Sequence, residues 1–172
     1  MRVKEIGEIK SGKAHNTYSA GNVPVYMSGG VVAHIDTAMD EGPTVIVPIR
    51  GSIEKQYFVS TGTPFFCGAT CVYIKCRKDV MDARYLFHLL QSERLERFNA
   101  SSTVPSLPRE KLANMLIFVP PLAYQRGTVR TLDGQYRCGC FFVLVNAGLW
   151  ICARCRFDGS GGVSWNVWER RV

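Results

Sequence analysis

The sequence predicts an α+β fold, a single domain of short mixed strands with two helices. Three observations lead to this prediction. Short runs rich in β-branched and aromatic residues alternate with turn residues over the first 80 positions. Two helical segments follow them, and strands and helices do not alternate regularly as they would in a doubly wound sheet. A length of 172 residues, with 47% hydrophobic residues, suits one domain with its own core.

The strands come first in the chain. Glycine-containing turns, among them Gly29-Gly30 and Gly51-Ser52, separate successive β-rich runs. Residues before the first run, from Gly7 to Ala14, are interpreted as a basic turn. The predicted strands are residues 23–27, 31–35, 44–49, 56–60 and 71–75.

Two helices and a final strand complete the predicted domain. Asp82 can cap the first helix, whose apolar stripe runs on to Phe98 through Leu86, Leu89, Leu90, the stem of Arg94 and Leu95. The second helix is expected over residues 107–114, with Ser106 as N-cap and Pro108 in its first turn. Residues 115–119 are predicted to form a last strand, which Pro120-Pro121 ends.

The composition changes near Leu132. Every Pro and Lys lies before this position, whereas all three tryptophans lie after it. We therefore predict a domain over residues 3–121, a short helix start over 122–132, and an irregular tail over 133–172. A GC-rich reading frame that has slipped produces Cys, Trp, Gly and Arg, so we hypothesise that residues 134–172 are out-of-frame or otherwise non-native sequence.

The charge balance favours an acidic partner. The net charge of +7 suits a polyanion, because Lys or Arg placed against phosphates releases counterions. No signal peptide and no apolar run long enough for a membrane span are found, so we expect a cytoplasmic protein without membrane contact. Seven cysteines cannot all pair within the chain, which fits a reducing compartment.

The search for an enzyme site gives a negative expectation. The run from Gly7 to Ala14 resembles a phosphate-binding loop. No buried strand is predicted before it, however, and Ala14 stands where that motif has a hydroxyl residue. The segment Val119-Pro120-Pro121-Leu122 lacks both ends of an adenine methyltransferase loop. No histidine or carboxylate pair has a spacing suited to acid–base catalysis. We therefore expect no catalytic residues, cofactor or metal.

Zinc remains an alternative of low weight. Cys138 and Cys140, together with Cys152 and Cys155, could supply four thiolates, although only the second pair has the usual spacing. The other cysteines, at positions 67, 71 and 76, are predicted to fill small spaces in the core.

The candidate binding residues are basic and small polar side chains at predicted turns. Arg50 could pair bidentately with a guanine, and hydroxyls and glycines allow close contact with DNA. Ordinary hairpin turns with solvated charges explain the same pattern, so the residues alone leave both interpretations open. The first candidates for DNA contact are Arg50, Ser52 and Lys55; the second are Lys10, Lys13 and Ser28.

Six motifs in order resemble the target recognition domain of a type I restriction-modification specificity subunit. The resemblance extends over residues 3–132. The motifs lie at positions 6–9, 23–30, 47–53, 85–90, 102–107 and 118–122. The resemblance implies a non-catalytic DNA reader that recognises one half of a split target. It also implies a helix that docks methyltransferase subunits, which use S-adenosylmethionine, and a complex that includes a restriction subunit.

The chain departs from this pattern at three places. Glu54 replaces a glycine beside a DNA-facing turn, and Gly68 stands where relatives often carry an acid. The helix after Pro121 has an apolar stripe of Leu122, Val129 and Leu132, but Gly127 weakens it and the tail ends it. We therefore expect a truncated specificity subunit that could pair with a second half-subunit. The alternative is a remnant or protein-interaction module that does not bind DNA.

Overall fold

The computed structural model describes residues 1–101 and 103–134 in full and the backbone of residues 140–145, 149–157 and 163–171. The chain divides into two compact units, Met1–Arg126 and Gly127–Val172. The first unit contains the mixed strands and helices that the sequence predicts.

The first unit contains two four-stranded sheets. Its strands are β1 (Gly7–Ser11), β2 (Ala20–Met27), β3 (Gly30–Ile35), β4 (Asp40–Glu41), β5 (Thr44–Pro48), β6 (Tyr57–Val59), β7 (Pro64–Cys67) and β8 (Cys71–Cys76). One sheet has the order β1-β8-β5-β6 and is antiparallel throughout. The other has the order β3-β2-β7-β4, in which only β2 and β7 run parallel.

The hydrophobic core follows the alternation of side chains along β7. Phe65 and Cys67 join one buried cluster with Ile46, Val59, Cys71 and Tyr73 of the antiparallel sheet. Phe66, between them, points the other way into a cluster with Val25 and Ile35. Strand β7 thus supplies buried side chains to both core clusters.

One helix precedes the strands of the first unit, and the others follow them in the chain. The helices are α1 (Val3–Ile6), α2 (Ala83–Ser92), a 3₁₀ turn (Leu95–Phe98), α3 (Arg109–Asn114) and α4 (Leu122–Leu132). The Asp82 carboxylate caps α2 by accepting hydrogen bonds from the amides of Arg84 and Tyr85, at 2.9 and 3.1 Å. This N-cap confirms the predicted start of the helix.

Several predicted boundaries are wrong. The long first helix breaks at Arg94, whose φ of 44° is left-handed, and a 3₁₀ turn carries the rest of the stripe. Helix α3 begins at Arg109 after Pro108, so Ser106 is not its N-cap. Residues 115–119 form no regular strand and make one isolated bridge, Leu116 with Arg2.

Three strands of the first unit, β1, β4 and β7, were not predicted, and the tail is more regular than expected. Residues interpreted as a basic turn form β1, and β7 pairs with both β2 and β4. In the tail, where an irregular chain was expected, the described backbone forms an antiparallel sheet of β9 (Cys140–Val145), β10 (Leu149–Phe157) and β11 (Val163–Arg171). Valine, phenylalanine and tryptophan in these segments have high β-propensity.

Candidate nucleic-acid interface

Several chain bends of the first unit converge along one edge. We call this surface the loop edge and define it as residues 12–13, 28–29, 49–55, 68–70, 99–101 and 103–107. It contains the turn between β2 and β3, the loop between β5 and β6 and the turn between β7 and β8. Hydrogen bonds described below connect these segments, although they are far apart in the sequence.

Ser28 lies at the centre of the loop edge. Its amide donates to Thr70 Oγ1 at 3.2 Å, and the Tyr57 hydroxyl donates to its carbonyl oxygen at 2.9 Å. Burial raises the pKa of Tyr57, so this hydroxyl keeps its proton at neutral pH. The Ser28 hydroxyl lies 2.9 Å from the position that a Cβ on Gly51 would take. The hairpin turn therefore contacts the loop that carries Arg50.

Arg50 is exposed and is held by its backbone on two sides. Its amide donates to the Thr70 carbonyl at 3.3 Å, and the residue forms an antiparallel bridge with Ser106. The Gly51 amide adds a bond to the Pro105 carbonyl at 2.9 Å. An open cavity of about 340 Å³ lies beside the guanidinium and is lined by Arg50, Ser101, Val104 and Ser106.

Lys13 reaches the loop edge through a close backbone approach. Its amide donates to the Cys67 carbonyl at 2.9 Å, and Gly12 donates to the Cys71 carbonyl at 3.0 Å. A Cβ on Gly68 would overlap the Met27 side chain. The acid that relatives often carry at this position has no space here unless Met27 moves.

Ser52 and Lys55 lie in the same turn. The Lys55 amide donates to the Ser52 carbonyl at 3.1 Å, and Lys55 and the neighbouring Glu54 are exposed. Among the residues whose side chains are described, Arg50, Lys13 and Lys55 form no ion pair. Three uncompensated cations and one carboxylate thus share the loop edge.

Lys10 is placed differently from the other predicted contacts. It lies within strand β1 and not in a turn, and its ammonium pairs with Asp40 and with Glu8 at 3.6 Å each. Asp40 also accepts a bond of 2.7 Å from Lys75. The charge of Lys10 is therefore compensated within the protein, and none of the bonds that connect the loop edge involves it.

Sequence reasoning missed Thr70, which lies in the loop edge, and Arg109, which binds to strand β1 next to it. The Arg109 guanidinium donates to Ser11 Oγ at 3.2 Å and to the Ile9 carbonyl, across 98 and 100 residues of chain. Thr70 bonds to both Ser28 and Arg50. Only the exposed charge of Arg109 was visible in the sequence, because no local spacing places it beside β1.

Two of the three cysteines with described side chains are core residues. Cys67 and Cys71 are buried free thiols, and burial raises the pKa of Cys71 to about 11 and that of the half-buried Cys76 to about 12. This confirms the interpretation of Cys67 and Cys71 as small core residues, whereas Cys76 lies outside the core clusters. Where side chains are described, no group of three or more His, Cys, Asp or Glu residues could hold a metal ion. The zinc alternative, on Cys138, Cys140, Cys152 and Cys155, falls outside the described side chains.

The fold is that of the recognition domains in type I specificity subunits. The S subunit of a type I restriction-modification system from M. genitalium aligns with a TM-score of 0.68 at 18% identity, over 78% of this chain and 37% of that one. The HsdS subunit from Thermoanaerobacter tengcongensis aligns with a TM-score of 0.59 at 16% identity, over 78% of this chain and 36% of the other. At these identities, the similarity concerns the fold.

The sequence comparison gives the family. The model described as the type I restriction modification DNA specificity domain matches residues 1–138, and the chain belongs to this family. A Haemophilus influenzae protein whose assigned name is that of a type I restriction enzyme specificity subunit is 26% identical over 115 residues, 66% of this chain. The chain spans 30% of the length of that relative. Within the described residues, no helix has both the length and the apolar character to cross a membrane.

Proposed function

We propose that this chain is a non-catalytic, sequence-specific reader of double-stranded DNA, the specificity component of a type I restriction-modification complex or one half of it. Family membership supports the reading of DNA. The observation that carries the proposal is the convergence of Arg50, Lys13 and Lys55, none with an ion-pair partner among the described side chains, on one hydrogen-bonded edge. A connected cationic surface is what a phosphate backbone requires.

Some residues of the loop edge would contact bases, and others would contact phosphates. Arg50 and Ser52 are proposed to contact base edges, since a guanidinium matches the O6 and N7 acceptors of guanine. Lys13, Lys55 and Ser28 are proposed to hold phosphates. Lys10 could join them only by leaving Asp40, which makes it the weakest of the six candidates.

The chain covers 30–37% of the length of the relatives to which it was compared, and we propose that it acts within a larger complex. We infer that it reads one half of a split target in the cytoplasm and associates with methyltransferase and restriction subunits. A second half-subunit would recognise the other half of the target. Co-purification with methyltransferase subunits tests this assembly. If the methyltransferase subunits do not co-purify, the assembly is contradicted, whereas the reading of DNA is not.

Duplex binding measured at several salt concentrations tests the reading of DNA. Each phosphate contact that releases a counterion steepens the loss of affinity with salt, by a slope of roughly 0.9 on logarithmic axes. Arg50→Ala should cost about 1–3 kcal/mol and relax specificity at one position if Arg50 reads a base. A uniform loss over all sequences would assign it to a phosphate.

The matched control is Arg77→Ala, which removes the same charge. Arg77 follows β8 at the end opposite Cys71 and pairs with Asp79, so it lies away from the loop edge. If the two substitutions behave alike, Arg50 does not belong to the site. If no salt-dependent duplex binding is found, the alternative of a remnant or protein-interaction module replaces the proposal.

A further inference from the structure

The hairpin of β2 and β3 differs in charge from the loops beside it. Between Ala20 and Ile35 it contains no Asp, Glu, Lys or Arg. Strand β3 forms the edge of its sheet, with β2 as its neighbour. The outer two strands of this four-stranded sheet thus form a hairpin without Asp, Glu, Lys or Arg side chains, and its tip at Ser28 bonds to Thr70 and contacts Gly51 of the Arg50 loop.

An irregularity in this hairpin lies at Val32. The register pairs Val25 with Ala33 and Tyr26 with Val31, so Val32 is an extra residue without a cross-strand partner. Such bulges at sheet edges redirect a side chain. Val32 is 54% exposed, and its neighbour Val31, which has a cross-strand partner, is 48% exposed. The bulge thus presents an apolar side chain to solvent on the edge strand of the hairpin whose turn contacts the loop edge.

The charge distribution points to what occupies this surface. Lys13 and Lys55 can bind the phosphates that border a groove, and a hairpin without carboxylates can enter the groove without being repelled by those phosphates. The major groove of DNA admits a two-stranded β-ribbon. It also displays the thymine methyl group, which an apolar side chain contacts there and which the minor groove does not offer.

We propose that the β2–β3 hairpin enters the major groove and that Val32 determines specificity by contacting a thymine methyl in the target. This inference rests on the proposed function. Beyond the proposed function, it specifies the groove that the chain enters, the hairpin that contacts the bases and one base of the target. Val32 would act together with Arg50, which the turn at Ser28 holds beside the same hairpin.

The test begins with duplexes that the full chain selects from a random-sequence pool. Each thymine of the selected site is then replaced by deoxyuridine, which removes only the methyl group, and affinity is measured by fluorescence anisotropy. One replacement should weaken binding about fourfold, the value expected for one buried methyl group. The variant Val32→Ala should bind the thymine and deoxyuridine duplexes equally.

An exposed apolar residue outside the loop edge and the hairpin provides the control. Leu116 is 72% exposed. Leu116→Ala should keep the fourfold discrimination. Both side chains are exposed, so both variants should retain the melting temperature of the unchanged chain. Loss of discrimination in Val32→Ala alone supports the proposal.

The other outcomes separate the inference from the function on which it rests. Sequence-specific binding that no deoxyuridine weakens, or discrimination that Leu116→Ala rather than Val32→Ala removes, overturns the role of Val32 and leaves DNA reading intact. A dimer that Val32→Ala dissociates, with discrimination kept, would assign the exposed edge to a second copy of the chain. Failure to select any sequence overturns the proposed function itself.

Discussion

At the scale of single residues, Asn99 closes the base of the loop that borders Arg50. Its Oδ1 accepts bonds from the amides of Ser101 and Ser106 at 3.0 and 2.9 Å, and its Nδ2 donates to the Ser101 carbonyl at 2.8 Å. Asn99→Ala removes all three bonds, and we expect it to lower the free energy of unfolding by about 1 kcal/mol, measured by urea denaturation.

Asn99→Asp serves as the comparison. A carboxylate still accepts both amide bonds and loses only the bond to the Ser101 carbonyl. It should therefore retain most of the stability that Asn99→Ala loses. Equal losses in the two variants would contradict the role given to the amide acceptor.

Asp40 links the two sheets through charge. Burial tends to raise the pKa of its carboxyl, but the hydrogen bonds from Lys75 and the Glu41 amide, with the charges of Lys75 and Lys10, outweigh burial and lower it below 3.8. A lowered folded pKa stabilises the fold above the unfolded value. This stabilisation is lost as the pH falls from about 3.8 through the folded pKa.

We therefore expect Asp40→Asn to cost about 1 kcal/mol at pH 7, and less as the medium is acidified below pH 4. Urea denaturation at pH 7 and pH 3 measures the difference. Asp79→Asn is the control, because the exposed Asp79–Arg77 pair should add little to stability. A deficit for Asp40→Asn that is as large at pH 3 would show that its role is not electrostatic.

The candidate residues show which part of a site can be predicted from sequence. Ser28 and Arg50 were found because turn glycines mark bends, and bends place side chains at the edge of a sheet. Lys10 was assigned to a bend because a charged, glycine-flanked segment does not look like a strand. Its pairing with Tyr73 of β8 depends on contacts 63 residues away, which a local pattern does not contain.

At the scale of secondary structure elements, a buried amide fixes the start of α4. Gln125 is fully buried; its Oε1 accepts from the Asp82 amide at 2.8 Å, and its Nε2 donates to the carbonyls of Val80 and Pro120 at 2.9 and 2.7 Å. Gln125→Leu removes the partner of three backbone groups, of which the Pro120 carbonyl is buried and the Asp82 amide and Val80 carbonyl are part-buried, and we expect a loss of about 3 kcal/mol in urea denaturation.

The exposed neighbour Arg126 supplies the control for this helix. Arg126→Ala should change stability by no more than about 0.5 kcal/mol, because both residues favour helices and the position is exposed. A similar loss in both variants would mean that general disturbance of α4, and not the Gln125 bonds, is responsible. No sequence pattern predicted this anchor, since a polar residue in a helix is usually interpreted as facing solvent.

Gly127 shows how far the same helix tolerates an unfavourable residue. Helix α4 continues through it to Leu132, and a Cβ there would meet no atom within 4 Å. Gly127→Ala should therefore raise the melting temperature, with a gain of about 0.5–1 kcal/mol. Gly30→Ala, at a φ of 124°, should destabilise instead. No gain in Gly127→Ala would show that α4 does not stabilise the domain.

At the scale of the whole molecule, composition located a change that no single motif revealed. The predicted break near Leu132 lies close to the boundary at Arg126 between the two compact units and to residue 138, where the family match ends. A regular β-sheet in the tail was not predicted, because residues with high β-propensity occur there among glycines and arginines. Whether the tail is native sequence remains a prediction.

Removal of residues 133–172 tests how far the recognition domain depends on the tail. Both core clusters, the loop edge and the Gln125 anchor lie within residues 1–126. We expect the shortened chain to unfold in one cooperative transition, with a free energy of unfolding within about 0.5 kcal/mol of the full chain and the same DNA affinity. A shortened chain that fails to fold would make the tail part of the domain.

An intact reading frame in the gene, with the same tail in close relatives, would contradict the hypothesis that residues 134–172 are non-native. Because the two measurements address folding and origin separately, the tail could prove native and still be dispensable for reading DNA.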